Sequence, residues 1–152
     1  MSATRANGQP SWATREHILD ALGAAIINDS GVDLFVLFGS VARGEAHPRS
    51  DIDLLLDGPT ARDPPALTRL RGELWEALDH PIELLTLSEA RKIAPVLAGA
   101  IRDGLVIADR FDQWNSVLRM RDEIERDASI EVRTYPARRA AALARLNARA
   151  QP

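Results

Sequence analysis

The sequence predicts an α+β (α/β) fold in which short buried strands alternate with helices around one core. Three observations carry that expectation. Apolar runs at residues 34–38, 51–57 and 82–87 are bounded by turn-forming residues and are too short for helices. Around them lie longer segments whose apolar residues recur at three- and four-residue intervals, the spacing of one helix face. With 152 residues, 45% of them apolar, the chain is long enough for one ordinary core and short for two.

Each element follows from local chemistry. Residues 1–10, which include Arg5, Asn7, Gly8 and Pro10, read as a disordered lead. From Ser11, the recurrence of Ile18, Leu22, Ala25 and Ile26 predicts a helix to about Asn28. Asp29, Ser30 and Gly31 turn the chain into the strand 34–38, which ends at Gly39. Gly39 and Ser40 open a turn, residues 41–45 a short helix, and a loop with His47, Pro48 and Arg49 leads to the strand 51–57. Asp63 before two prolines starts a helix with the buried stripe Leu67, Leu70, Leu74 and Leu78. His80-Pro81 breaks it, and residues 82–87 form a third strand. Ser88 is expected to cap a short helix that Pro95 interrupts or replaces with another, and Gly104 ends this region. Residues 105–107 read as a short edge strand, and Trp114, Val117, Leu118, Met120 and Ile124 predict a helix over 112–128. Thr134 and Pro136 open a last alanine-rich helix, with residues 129–135 as the one hint of a boundary.

Composition excludes several classes. The absence of cysteine removes disulfides, thiolate metal sites and cysteine nucleophiles, so any metal must sit on oxygen or histidine. No apolar run is long enough to span a bilayer, and the amino terminus lacks the apolar centre of a signal peptide, so a cytoplasmic protein without a membrane partner is expected. The net charge of −3 argues against a protein that coats nucleic acid. Five arginines and no acid follow Glu131, which reads either as a solvated helix face or as a surface for RNA or an acidic partner.

The chemistry concentrates in one constellation. Asp51 and Asp53 are two apart at the start of a strand, so both carboxylates point to one face. Ile52, Leu54, Leu55 and Leu56 mark that strand as buried, where adjacent like charges require a cation. Magnesium suits them, because a hard cation takes carboxylate oxygens together with water and phosphate oxygens. Glu83, inside the apolar run 82–85, faces either the same metal or solvent on an exposed face of an edge strand. Gly39 and Ser40 follow a strand and precede a helix, where glycine permits close backbone approach and helix amides meet phosphate.

The run Leu37-Phe38-Gly39-Ser40-Val41-Ala42-Arg43-Gly44, followed by Ser50-Asp51-Ile52-Asp53-Leu54, resembles the signature of the minimal nucleotidyltransferases of the polymerase-beta-like superfamily. The resemblance covers roughly residues 14–108. It implies a small mixed sheet flanked by helices, with a nucleotidyltransferase domain over 11–109 and extra helices over 110–152, packed on the same domain or on a partner. It also implies a carboxylate triad of Asp51, Asp53 and Glu83, the third position being aspartate or glutamate in that family. Two magnesium ions on this triad would support in-line transfer from ATP or another nucleoside triphosphate to a hydroxyl, with release of pyrophosphate. Gly39 and Ser40 would hold the triphosphate. Arg43 either neutralises phosphate or forms a surface salt bridge; Arg49 fits the salt bridge better and His47 a solvated loop.

The resemblance extends to antitoxins that adenylylate a HEPN-type toxin, so the expected acceptor is a partner protein and AMP the expected group. Transfer to RNA, such as a transfer RNA end, or to a small molecule is the alternative, supported by the basic tail. A non-catalytic toxin-binding module is a third reading, whose mark would be a degraded triad; Asp51, Asp53, Gly39 and Ser40 are intact. Trp12, Trp75 and Trp114 fit helical core positions. The apolar face around Trp114 and Leu118 completes this core, pairs with a second copy in a homo-oligomer, or docks a partner.

Overall fold

The apolar run 34–38 forms β1 (Leu34–Phe38), buried along its whole length. A strand covered on both faces reads as a continuous apolar run, because Phe35 and Leu37 enter one core cluster while Leu34, Val36 and Phe38 enter another. The structure is a computed structural model that describes residues 14–46, 50–134, 140 and 143–148. Beside β1 lie β2 (Ile52–Asp57), antiparallel to it, and β4 (Leu105–Asp109), also antiparallel; β3 (Ile82–Thr86) runs parallel to β2. The order β3-β2-β1-β4 makes a mixed four-stranded sheet, as expected from the sequence, with β4 at one edge.

Helices cover both faces. On one, α1 (Arg15–Ile26) brings Ile18, Leu22 and Ile26, and α3 (Pro64–Leu78) brings Leu70, Leu74 and Leu78, against Ile52, Leu54, Leu56, Ile82 and Leu84. Full burial of each such leucine or isoleucine contributes about 1.5–3 kcal/mol. A 3-10 turn over Pro59–Arg62 leads into α3, which crosses from β2 to β3 and so allows their parallel pairing. On the other face, α4 (Leu87–Ala90), α5 (Ala94–Asp103), α6 (Gln113–Leu118) and α7 (Arg121–Thr134) cover Val36, Leu55 and Leu85. The short α2 (Gly39–Ala42) follows β1 directly.

Several local expectations are corrected. The first helix ends at Ile26, not Asn28, and Leu67 in the α3 stripe is only half-buried. Thr86, not Ser88, caps α4: its hydroxyl accepts from the Glu89 amide at 3.1 Å, and Glu89 accepts from the Thr86 amide at 3.2 Å. This reciprocal capping box ends β3 one residue early. The helix expected over 112–128 is two helices, the hydrogen-bond ladder tightening where Met120 N–H donates to Val117 at 3.0 Å before α7 begins. α7 then runs through the expected boundary at 129–135 as far as Thr134, with Ile124 and Ala128 buried one turn apart in the core cluster that also holds α5 residues. Thr134 therefore lies in a helix already under way rather than opening one, and residues 135–139 lie outside the described residues. The lead at 1–10, Trp12, His47, Arg49 and Pro136 lie outside the described residues.

Candidate active site

Strand register brings the acids together. Along β2, Ile52, Leu54 and Leu56 face α1 and α3, so Asp53 points to the opposite face, with Asp51 two residues earlier on the same side. Along β3 the same alternation puts Ile82 and Leu84 on the α3 side and Glu83 on the side of Asp53. In the parallel ladder Asp53 is the direct partner of Glu83, and across β1 it is the partner of Phe38. Glu83, on the edge strand β3, is half-buried and directly abreast of Asp53.

Immediately after Phe38 the chain must turn over the Asp53 carboxylate. Gly39 does so with φ +75°, and a Cβ placed there would lie 2.1 Å from Asp53 Oδ2. A side chain fits there only if the Asp53 carboxylate moves aside, and the left-handed conformation itself favours glycine. Ser40 is next, half-exposed, and among the described residues its hydroxyl has no hydrogen-bond partner.

The electrostatics follow from this crowding. Burial, then a hydrogen bond with Glu83, then the charges of Glu83 and Asp51 push the Asp53 carboxyl up to about 8, against a smaller opposing pull from Arg43. Among the described residues no three histidine or carboxylate side chains converge closely enough to enclose an ion. The site instead offers Asp53 and Glu83 as a contacting pair with exposed Asp51 at its margin. Its donors are all hard oxygens, and two carboxyls held together in a half-buried site are what a divalent cation relieves, so the residues fit magnesium.

The sequence profile of the polymerase beta nucleotidyltransferase domain matches residues 22–113, more than half of the chain. The chain belongs to the polymerase beta nucleotidyltransferase family. The resemblance read from residues 37–44 and 50–54 is thereby borne out. Over 81 residues this nucleotidyltransferase chain is 42% identical to the bifunctional uridylyltransferase/uridylyl-removing enzyme of Streptomyces coelicolor, a match spanning 47% of the chain and 9% of that enzyme. Solved structures with the same fold come from toxin-antitoxin complexes. One with AMP-PNP is 21% identical, with a TM-score of 0.60 over 76% of this chain and 92% of that one. The MntA-HepT pair gives 18%, 0.56, 78% and 92% in the same order. A tri-AMPylated HEPN toxin of Shewanella oneidensis with MNT antitoxin gives 18%, 0.57, 78% and 92%. At these identities the likeness is one of fold.

Around these carboxylates the structure sorts the remaining candidates. Arg43 takes the surface salt-bridge arrangement, its Nε 2.8 Å from Glu45 and its Nη1 2.7 Å from Asp103 at the end of α5. Hydrogen bonds to those two acids raise its pKa, while its charge still reaches Asp53. Trp114 is 5% exposed and belongs to the core; Trp75, expected there too, is 46% exposed. Trp75 does not share the α3 face on which Leu70, Leu74 and Leu78 are buried.

One residue of the site was not legible beforehand. His80, noted in the sequence only as part of a helix break, is buried and its Nε2–H donates to the carbonyl of buried Ser50. Next to it, Ile52 N–H donates to the Pro81 carbonyl at 3.0 Å. Residues 80–81 therefore clamp the chain on both sides of Asp51. A histidine and a proline just ahead of an apolar run are the only signal in the sequence, and they name no partner.

Proposed function

We propose that this chain transfers a nucleoside monophosphate from a nucleoside triphosphate to a hydroxyl on a partner protein, at the site formed by Asp51, Asp53, Glu83, Gly39 and Ser40. The observation that carries the reading is the in-register pairing of Asp53 with Glu83 directly beneath Gly39. A bare backbone turn against paired carboxylates suits a polyphosphate that approaches closely together with its cations. Asp51, Asp53 and Glu83 would hold magnesium, which when bound supplies charge neutralisation at the reacting phosphate. Gly39 and Ser40 orient the triphosphate, the serine hydroxyl donating to a phosphate oxygen. The acceptor oxygen forms its bond to the α-phosphorus as the bond to the β-phosphate bridging oxygen breaks. Pyrophosphate leaves, and the hydroxyl proton passes to Glu83.

The fold shared with chains from toxin-antitoxin complexes, one with AMP-PNP and one with a tri-AMPylated HEPN toxin, supports a HEPN-type toxin as acceptor and AMP as the group moved. The match to a uridylyltransferase supports UMP as the competing group. The test is incubation of the chain with magnesium, each of four α-labelled nucleoside triphosphates and the protein encoded beside it. Label from one triphosphate on that protein, absent with Asp51→Asn/Asp53→Asn, is the expected result. Label on added RNA instead would move the acceptor, and no label with any triphosphate would reject transfer.

A further inference from the structure

At the β3 edge of the sheet, between α3 and α4 and beside the strand that carries Glu83, lies a cavity of about 320 Å³. Leu67, Leu84 and Leu146 give it apolar walls, and Thr68, Arg71 and Glu89 also line it. Arg71 is 6% exposed, a rare state for an arginine without an acidic partner. Its Nε donates to the Ile82 carbonyl at 3.4 Å, but among the described residues its buried Nη1 has no hydrogen-bond partner. Desolvation lowers its pKa, yet a guanidinium keeps its proton in a protein. A buried cationic donor left unpaired is costly, and pairing it with an anion removes that cost.

Glu89 is not that anion. One of its carboxylate oxygens accepts from the Thr86 amide, and among the described residues it forms no ion pair with Arg71. Its charge also disfavours a dianion in the same cavity, while three leucines favour a ligand with an aliphatic body. We propose that this cavity is a second small-molecule site, distinct from the carboxylate site, which takes a monocarboxylate with a branched aliphatic chain. The carboxylate pairs with Arg71 and the chain packs on Leu67, Leu84 and Leu146. Arg71 is bonded to Ile82, the residue before Glu83, and Leu146 belongs to the helical residues 143–148. An occupant would thus tie the carboxy-terminal segment to the strand that carries Glu83.

The test is isothermal titration calorimetry of the full chain with 4-methylpentanoate and, separately, inorganic phosphate. Wild type is expected to bind 4-methylpentanoate saturably at one site and more tightly than phosphate. Arg71→Met should weaken that binding about tenfold or more, as loss of a charge-assisted pair does, with Arg71→Lys intermediate. Leu146→Glu, at a half-buried position of the cavity wall, should weaken it as well and decides the matter if Arg71→Met fails to fold. No saturable binding, phosphate bound as tightly, or affinity unchanged by Leu146→Glu and by a folded Arg71→Met would overturn the proposal.

Discussion

Replacing Asp53 with asparagine removes the charge that the carboxylate site crowds most, and the consequence for stability has a definite sign. Unfolded Asp53 titrates near 3.8 and folded Asp53 at about 8, so between those values the folded chain binds the additional proton. Stability of the metal-free protein therefore falls as pH rises through this window. About four units at about 1.36 kcal/mol each set a ceiling of about 6 kcal/mol. Asp53 is half-buried rather than sealed, and water screening reduces that to about 2 kcal/mol. For a chain of this size that corresponds to about 4–8 °C in Tm. Differential scanning fluorimetry in EDTA, from pH 5 to pH 9, should show wild type falling by that amount relative to Asp53→Asn. Millimolar magnesium should close the gap, because a cation replaces the proton between Asp53 and Glu83. Parallel pH profiles for the two proteins, or a wild type that gains on the variant as pH rises, would refute the argument.

Other perturbations test the surrounding geometry. Gly39→Ala places a Cβ 2.1 Å from Asp53 Oδ2 in a left-handed conformation that costs about 1–2 kcal/mol; displacement of the carboxylate should lower nucleotidyl transfer about a hundredfold, read by labelled-nucleotide assay. His80→Ala removes the buried bond to Ser50 and should cost about 1–3 kcal/mol by urea titration, with a further loss of activity as Asp51 loses its clamp. Leu54→Ala, fully buried between β2 and the α1–α3 layer, should destabilise by about 2–5 kcal/mol in the same titration while leaving the carboxylate face intact.

The part of the site that the sequence made legible is the part set by short-range geometry. Asp51 and Asp53 share a face because they are two apart on a strand, and Gly39-Ser40 stands at a strand end because the apolar run stops there. Glu83 is different. Its place beside Asp53 depends on the parallel pairing of β2 and β3, which the crossover through α3 allows from a distance. His80 and Arg71 are further cases: both are polar and both are buried, His80 against Ser50 and Arg71 on the same α3 face as Leu70, Leu74 and Leu78, and sequence reasoning singled out neither. Fold class was legible throughout, since a strand such as 34–38, apolar at every position, requires cover on both faces. The break between α6 and α7 was not, because apolar spacing continues across Arg119 and Met120 while the hydrogen-bond ladder does not.

The most direct test of the central claim is intact-mass spectrometry of the neighbouring-gene protein after incubation with this chain, magnesium and a nucleoside triphosphate. A mass gain of one or more nucleoside monophosphates with wild type, and none with Asp51→Asn/Asp53→Asn, is the predicted result. An unchanged mass with wild type while the two proteins co-purify as a stable complex would contradict it, because this site would then bind without transferring.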